Sequence, residues 1–322
     1  MDAVVLAGGY ATRLWPITKD RPKMLLPLGD SIIINRILAE LEEDDRINDV
    51  YVSTNERFAG VFREHLSNEA FEKPSVSVEP IAAEAEKQGV VWALSKLIDR
   101  EDIDDDLLIV AGDNLISFDL TAFIDCFHEH GGPTLAAYDV GSREKAKAYG
   151  LVQLEGDRVV DFQEKPDDPQ STLVSIACYA LPEETLDLFD EYLAGDNNPD
   201  EPGWFIDWLQ SRQSVYAFPF DGAWYDIGTP DSYLDAMEWI LNGDSHVSPS
   251  ATTVDCSLGE NVYVMDKAIL RNAELENAII FPETEITDCS VRNAIIDQAT
   301  HVKGIDLEDA VVSEYTKIVS DD

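Results

Sequence analysis

The stretch LAGGYATRLWPITKDRPKMLLPLG, residues 6–29, places four basic side chains, Arg13, Lys19, Arg21 and Lys23, just behind a pair of glycines. The chain as a whole has 23 lysines and arginines against 64 aspartates and glutamates, so a local excess of cations stands out. Gly8 and Gly9 let backbone N–H groups come close to an anion. Arg13 can fork onto two phosphate oxygens, and Lys23 adds a compact point charge. These residue types suit the holding of phosphates. A structural turn followed by a surface arginine would be spelled much the same way. The loop is neither G-x-G-x-x-G nor a Walker A sequence, which gives dehydrogenase and ATPase chemistry little support.

Alternating elements must position this loop. AVVLA (3–7) is a short apolar run that ends in Gly8-Gly9, and a helical pattern follows at Ile33, Ile37, Leu38 and Leu41. DVYVST (49–54), VSVEP (76–80), LLIVAGDN (107–114) and TLAAYDV (134–140) read as strands, and 86–99 as a helix. Such alternation predicts βαβ units around a mainly parallel, Rossmann-like sheet. Ligands bind beyond the carboxyl ends of the strands of such sheets, where Gly8-Gly9 and Gly112-Asp113 should both emerge. Residues 151–163 read as a hairpin turning at Glu155-Gly156-Asp157. A last helix starts near Pro230 and stops at Asn242-Gly243.

A linker is expected at 243–250, and beyond it the sequence repeats. ENVYV (260–264), ENAII (276–280), RNAII (292–296) and EDAVV (308–312) recur every 16 residues, and a second phase runs through TTV, AIL, TEI, THV and TKI. Apolar residues step by five or six. Short strands at a fixed period predict a parallel β-solenoid of four to five coils, with three short strands per coil. The expected organisation is therefore a domain over 1–242, a linker over 243–250 and a solenoid over 251–319.

Length and composition narrow the function classes. The 322 residues are 45% hydrophobic with a formal net charge of −41, which fits a globular protein with a sizeable core rather than a disordered acidic tail. Nucleic-acid phosphates would be repelled by this surface. There is no apolar run of about 18 residues, so no membrane span is expected. The opening MDAVVLAGG has no basic leader region, which places the protein in the cytoplasm. Acid spread along the whole chain fits a saline cytoplasm: at about 1 M salt the Debye length is roughly 3 Å, and self-repulsion is screened. Cys126, Cys178, Cys256 and Cys289 lie far apart and read as buried free thiols.

AGGYATRLWPITKDRPKMLLPLG resembles the N-terminal signature of the sugar-1-phosphate nucleotidylyltransferases, the nucleotide-sugar pyrophosphorylases, through Gly8, Gly9, Thr12, Arg13, Leu14, Pro16 and Lys23. The resemblance runs through ordered motifs over 1–240. A left-handed β-helix tail, matching 250–318 here, also occurs in many members. It implies an α/β nucleotidyltransferase domain that binds a nucleoside triphosphate through Leu6, Ala7, Gly8, Gly9, Ala11, Thr12 and Arg13. Arg13 and Lys23 would be catalytic, Arg13 on the β and γ phosphates and Lys23 between the α-phosphate and the incoming sugar phosphate. Asp113 in AGDN and Asp226 in WYDIGTPDSY match the metal-binding aspartates and would share one Mg²⁺. Taken singly, Asp113 also reads as a helix cap and Asp226 as a turn residue. Glu164 and Lys165 in the E-K-P motif would take the sugar hydroxyls and the sugar's phosphate, and Tyr149-Gly150 would contact the sugar. Out of this context an E-K-P tripeptide is usually an exposed turn.

Base identity turns on VEPIAAEAEKQGVVWAL, which has Gly89 at the family's glycine and either Glu79 or Glu84 where thymidylyl- and uridylyltransferases carry glutamine. A carboxylate only accepts hydrogen bonds, and guanine presents adjacent N–H donors. That hints at GTP and mannose-1-phosphate; read as one more surface acid, either Glu leaves glucose-1-phosphate with dTTP or UTP equally open. Ala11 departs from the usual loop glycine, Val90-Val91 from T-A, and Ser175 and Ala177 from the usual Asn and Gly of the sugar pocket. Two other functions are open: a non-catalytic nucleotide-sugar-binding regulatory subunit, which should have lost the charged residues, and a bifunctional enzyme with an acyltransferase solenoid. His246 and His301 are the only histidines available to the latter, and His301 reads as an ordinary solvent-facing strand residue. The solenoid is better suited to forming a homo-oligomer.

Overall fold

The computed structural model describes residues 1–79 and 88–320. By packing, the chain falls into two compact units. One comprises residues 1–9, 35–112 and 116–224, the other 10–34, 113–115 and 225–322.

The first unit is built on a nine-stranded sheet. Its strands are β1 (Asp2–Leu6), β2 (Val50–Asn55), β3 (Pro74–Glu79), β4 (Leu107–Ala111), β5 (Thr134–Asp139), β6 (Gly150–Glu155), β7 (Arg158–Glu164), β8 (Leu173–Leu181) and β9 (Tyr216–Pro219). The order across the sheet is β3-β2-β1-β4-β8-β5-β9-β7-β6, with β8 also pairing β6. The first four strands are parallel, as expected. Ala3, Val4 and Val5 at the centre of β1 are fully buried, which is why this strand is a continuous apolar run instead of an alternating one. The expectation of a mainly parallel sheet needs correction beyond β4. Strand β8 runs antiparallel to β4, β5 and β6, and β7 runs antiparallel to β6 and β9, so the sheet is mixed. The hairpin is where the sequence placed it, with Gly156 at φ 62° in the turn.

The helix Val90–Glu101 follows Gly89. It buries Val91, Leu94 and Leu97, at helical spacing, in one core with Val4, Ile109, Tyr179, Phe189, Phe205 and Leu209. Full burial of a Leu or Phe side chain contributes about 1.5–3 kcal/mol, so this core gives the carboxyl ends of the strands a rigid base.

The second unit joins the N-terminal loop, the helix Pro230–Leu241 and a C-terminal parallel sheet. Leu14, Ile17, Leu26 and Leu28 pack with Tyr233, Met237, Ile279, Phe281 and Ile295. The Tyr233 hydroxyl donates to Pro27 O at 2.5 Å, and the Tyr263 hydroxyl to Gly29 O. In the C-terminal sheet every pairing is parallel, and residues pair with partners 16 further on: Ile269 with Glu285, Leu275 with Val291, Ile280 with Ile296. Between the paired runs stand left-handed residues in three ladders: Asn261, Asn277, Asn293 and Asp309; Lys267, Glu283, Ala299 and Tyr315; and Asn272, Asp288 and Gly304. Asn, Asp and Gly visit this conformation most readily. Asn277 donates to Asn293, and Asn293 to Asp309, at 3.0 and 3.2 Å. The inner stack is Leu270, Ile286 and Val302, with Leu275 on Val291. The four cysteines are free thiols. Cys178 and Cys289 are buried, while Cys126 and Cys256 are only half-buried, a correction to the expectation for those two.

Candidate active site

In the first unit the glycine loop leaves β1 under tight control. Ala7 donates to Ser53 O at 2.7 Å and Gly112 to Leu6 O at 3.0 Å. The Thr54 hydroxyl donates to Ala7 O and Asn55 Nδ2 to Gly8 O, both at 3.0 Å. Asn55 also caps the next helix by accepting from Phe58 N–H. These buried polar groups hold the Leu6–Gly8 backbone in place, and at Gly9 nothing among the described residues lies within 4 Å of where a Cβ would sit. A Cβ on Gly8 would lie 3.0 Å from the Glu79 carboxylate, which itself accepts from the Ser53 hydroxyl at 3.2 Å. Glu79 is thus fixed beside the glycine loop. Glu84, the alternative base contact, lies outside the described residues.

Gly89 has φ 94°, and a Cβ there would run into the Pro199 carbonyl. Only glycine meets both conditions. Val90 and Val91 N–H, in the first turn of the following helix, donate to Asp200 O and Pro199 O at 3.1 and 2.9 Å.

The same unit brings Tyr149, Gly150, Glu164 and Lys165 together. Gly150 and Glu164 pair across the β6–β7 hairpin, and Lys165 N–H donates to Tyr149 O at 3.1 Å. The Tyr149 ring meets Trp224 edge-on at 4.8 Å. Glu164 is held between two glycines. A Cβ on Gly150 would be 2.9 Å from Glu164 Oε2, and one on Gly203 would fall on the same oxygen. Burial pushes the Glu164 carboxyl up to about 7; Lys165 opposes this, and Glu201 and Asp207 add to it. Lys165 is not an unpartnered cation, because its Nζ lies 2.5 Å from Glu201 Oε1. Ser175 and Tyr179 are buried, and their hydroxyls are 3.5 Å apart.

The second unit gathers the other charged residues. Arg13 lies in a short turn, Thr12–Leu14, entered through Ala11 at φ 49° and ψ 44°. Ala11 stands in the left-handed region, which explains why glycine suits this place better. Lys23 is 7% exposed and forms an ion pair with Asp113. Asp113 precedes Asn114–Ile116, which pairs with Trp224–Asp226 in a two-stranded sheet, and Ile227 N–H donates to Asp113 O at 3.1 Å. Asp226 therefore follows on the neighbouring strand. Gly228 closes the cluster: a Cβ there would sit 2.8 Å from Arg13 Nη2 and 3.5 Å from Asp226 Oδ1. Thr229 and Ser232 then form a capping box with Pro230 in the first turn, the physical reason for the spelling G-T-P-D-S. Arg21 serves the fold instead, with Nη2 2.6 Å from buried Asp297 and its guanidinium over Phe281.

Sequence reasoning missed Ser53, Thr54 and Asn55, Glu201, Gly203 and Trp224. The polar run at the end of an apolar strand and the Pro-Gly at a helix start were the available signals. His301 Nδ1 is 3.0 Å from Glu285 Oε2 in the C-terminal parallel sheet.

The comparisons with known proteins follow this geometry. A family described as nucleotidyl transferase matches residues 2–243. A protein of Sulfolobus acidocaldarius provisionally named mannose-1-phosphate guanyltransferase is 30% identical over 237 residues, covering 73% of this chain and 61% of its own length. A glucose-1-phosphate adenylyltransferase of Rhodopirellula baltica is 29% identical over 76% of this chain, and the bifunctional protein GlmU of Methanocaldococcus jannaschii 23% over 85%. The chain spans about 61% of the length of these relatives. A crystal structure from Bacillus anthracis, provisionally identified as a glucose-1-phosphate thymidylyltransferase in complex with sucrose, shares the fold. Its TM-score is 0.64 at 24% identity, over 73% of this chain and 93% of that one.

Proposed function

The chain belongs to the nucleotidyl transferase family, and on that premise we propose that it transfers a nucleotidyl group from a nucleoside triphosphate to a sugar-1-phosphate and releases pyrophosphate. The observation that carries this reading is the cluster of Arg13, Lys23, Asp113, Asp226 and Gly228, in which a nearly buried lysine and an arginine accompany two aspartates. A regulatory subunit has no need to keep such charges.

In the proposed reaction a sugar-phosphate oxygen attacks the α-phosphorus in line. A P–O bond forms there, the bond to the β-phosphate oxygen breaks, and pyrophosphate carries the charge away. The nucleophile is already anionic near neutral pH, so no side chain has to remove a proton. Bringing two anions together is the difficulty. Arg13 stabilises the leaving β and γ phosphates, and Lys23 neutralises charge between the α-phosphate and the attacking phosphate. Backbone from Leu6 to Thr12 cradles the triphosphate. Glu164 accepts from sugar hydroxyls, Lys165 holds the sugar's phosphate, and Tyr149 and Gly150 flank the ring. Asp113, in the turn before one strand, and Asp226, at the end of the strand paired with it, fit a hard cation that keeps water and phosphate oxygens as its other ligands. Mg²⁺ bound there would supply charge neutralisation on the phosphates.

Glu79 supports guanine as the base, because an anchored carboxylate beside the glycine loop accepts from adjacent N–H donors. GTP with mannose-1-phosphate is the favoured pair, in keeping with the name of the Sulfolobus relative. The three left-handed ladders and the 16-residue register support a left-handed β-helix over 251–319, following a catalytic domain over 1–242 and the link at 243–250. That helix would form a homo-oligomer, which light scattering tests. No described helix is long and apolar enough to cross a membrane. The charge of −41 supports a halophilic, cytoplasmic enzyme.

The test is pyrophosphate release with Mg²⁺ across a KCl series, with GTP, dTTP, UTP, ATP and CTP each offered glucose-, mannose- and N-acetylglucosamine-1-phosphate. Sugar-dependent release that declines as KCl falls toward 0.1 M is expected. At about that salt the Debye length reaches roughly 10 Å. Folded protein that releases nothing with any pair refutes the activity.

A further inference from the structure

Lys165 already has a partner inside the protein. Its side chain and that of Glu201 are 45% and 44% exposed and meet at 2.5 Å. Lys165 has φ 47°, and its N–H is tied to Tyr149 O, so the backbone fixes where the side chain sets out. Glu201 immediately precedes the helix Pro202–Gln210, yet its carboxylate caps no helix N–H. The two residues before it, Pro199 and Asp200, accept from Val91 and Val90 N–H. Three consecutive residues therefore touch the helix start after Gly89 at one end and Lys165 at the other.

We propose that Glu201 is the resting counter-ion of Lys165, displaced by the phosphate of the sugar-1-phosphate, and that Pro199–Glu201 thereby links the sugar-phosphate lysine to the helix that begins after Gly89. The proposal rests on the assignment of the sugar's phosphate to Lys165. A half-exposed ion pair is worth little in water, and a phosphate brings more charge and more acceptor oxygens than a carboxylate, so the exchange favours substrate.

The experiment uses the full chain in KCl and Mg²⁺, with mannose-1-phosphate and glucose-1-phosphate titrated by calorimetry. Glu201→Gln, Lys165→Gln and the double variant are compared with the parent, and pyrophosphate release supplies KM and kcat. Glu201→Gln keeps the shape and removes the charge. It should tighten binding by roughly 1.5- to 5-fold, the range an exposed pair spans, and steepen the salt dependence. In the Lys165→Gln background it should do nothing. Sugar phosphate should also change hydrogen-exchange protection of Val90 and Val91 in the parent, and less so in Glu201→Gln. If Lys165→Gln weakens binding while Glu201→Gln leaves it unchanged or weaker, the counter-ion proposal falls and the lysine assignment stands. If Lys165→Gln has no effect, the assignment itself falls. Protection of Val90 and Val91 that ignores the sugar phosphate overturns the link.

Discussion

Gly203→Ala should damage sugar binding without unfolding the protein. Gly203 lies in the first turn of Pro202–Gln210 and is buried against Glu164 Oε2. An added Cβ, 1.7 Å from that oxygen, needs it to retreat by about 2 Å to restore ordinary contact. Glu164 cannot retreat toward Gly150, whose own Cβ position is only 2.9 Å from the same oxygen and which packs on Phe162. It must change rotamer, at about 0.5–1.5 kcal/mol. Replacing glycine by alanine in a helix stabilises by about 1 kcal/mol. The two nearly cancel, so Tm should stay within about 3 °C. Displacing a group that positions the reacting substrate by an ångström lowers rate by about 10²-fold. The assay is pyrophosphate release with the sugar-1-phosphate varied at saturating nucleotide, then the reverse. Expected is a fall of about 10²-fold in kcat/KM for the sugar phosphate, with the nucleotide KM held. Full activity toward the sugar phosphate in the folded variant would refute the placing of Glu164 on the sugar, and a Tm loss of 10 °C would refute the claim that Glu164 is the part that yields.

Three further outcomes follow from the same geometry. Lys23→Met removes the ion pair with Asp113; activity should drop by 10² or more, and stability by about 3 kcal/mol, with denaturant melts showing part of the stability regained in Mg²⁺. The raised Glu164 carboxyl contributes stability that is fully present below its ordinary value of 4.5 and lost as pH rises through about 7. Glu164→Gln should flatten that limb of a pH–stability profile, and an unchanged limb would discount the burial. Ala11→Gly relieves a left-handed alanine, worth about 1–2 kcal/mol, against about 0.4–1 kcal/mol of added chain entropy in the unfolded state. A small rise in Tm is expected, and a fall would mean that the alanine methyl packs usefully.

Chain-local features were legible in the sequence. The first strand, the hairpin at Glu155–Asp157, the helix that stops at Asn242 and the 16-residue register follow from short-range propensity and period, and the structure has each of them. The mixed sheet was not legible. Whether Leu173–Leu181 runs with or against its neighbours is decided by partners dozens of residues away, and its apolar pattern is the same either way. The half-exposure of Cys126 and Cys256 likewise depends on what packs over them.

The candidate site divides along the same line. Sequence determined which residues carry charge, because Arg13, Lys23, Asp113, Asp226, Glu164 and Lys165 announce themselves by type and motif. Tertiary structure decided what each faces: Lys23 on Asp113, Lys165 on Glu201, Glu164 between Gly150 and Gly203. It also turned Arg21, spelled like a phosphate ligand, into an anchor on Asp297. A side chain's charge is a property of its residue, whereas its partner and its burial belong to the packing. Both set how tightly that charge is available to a substrate.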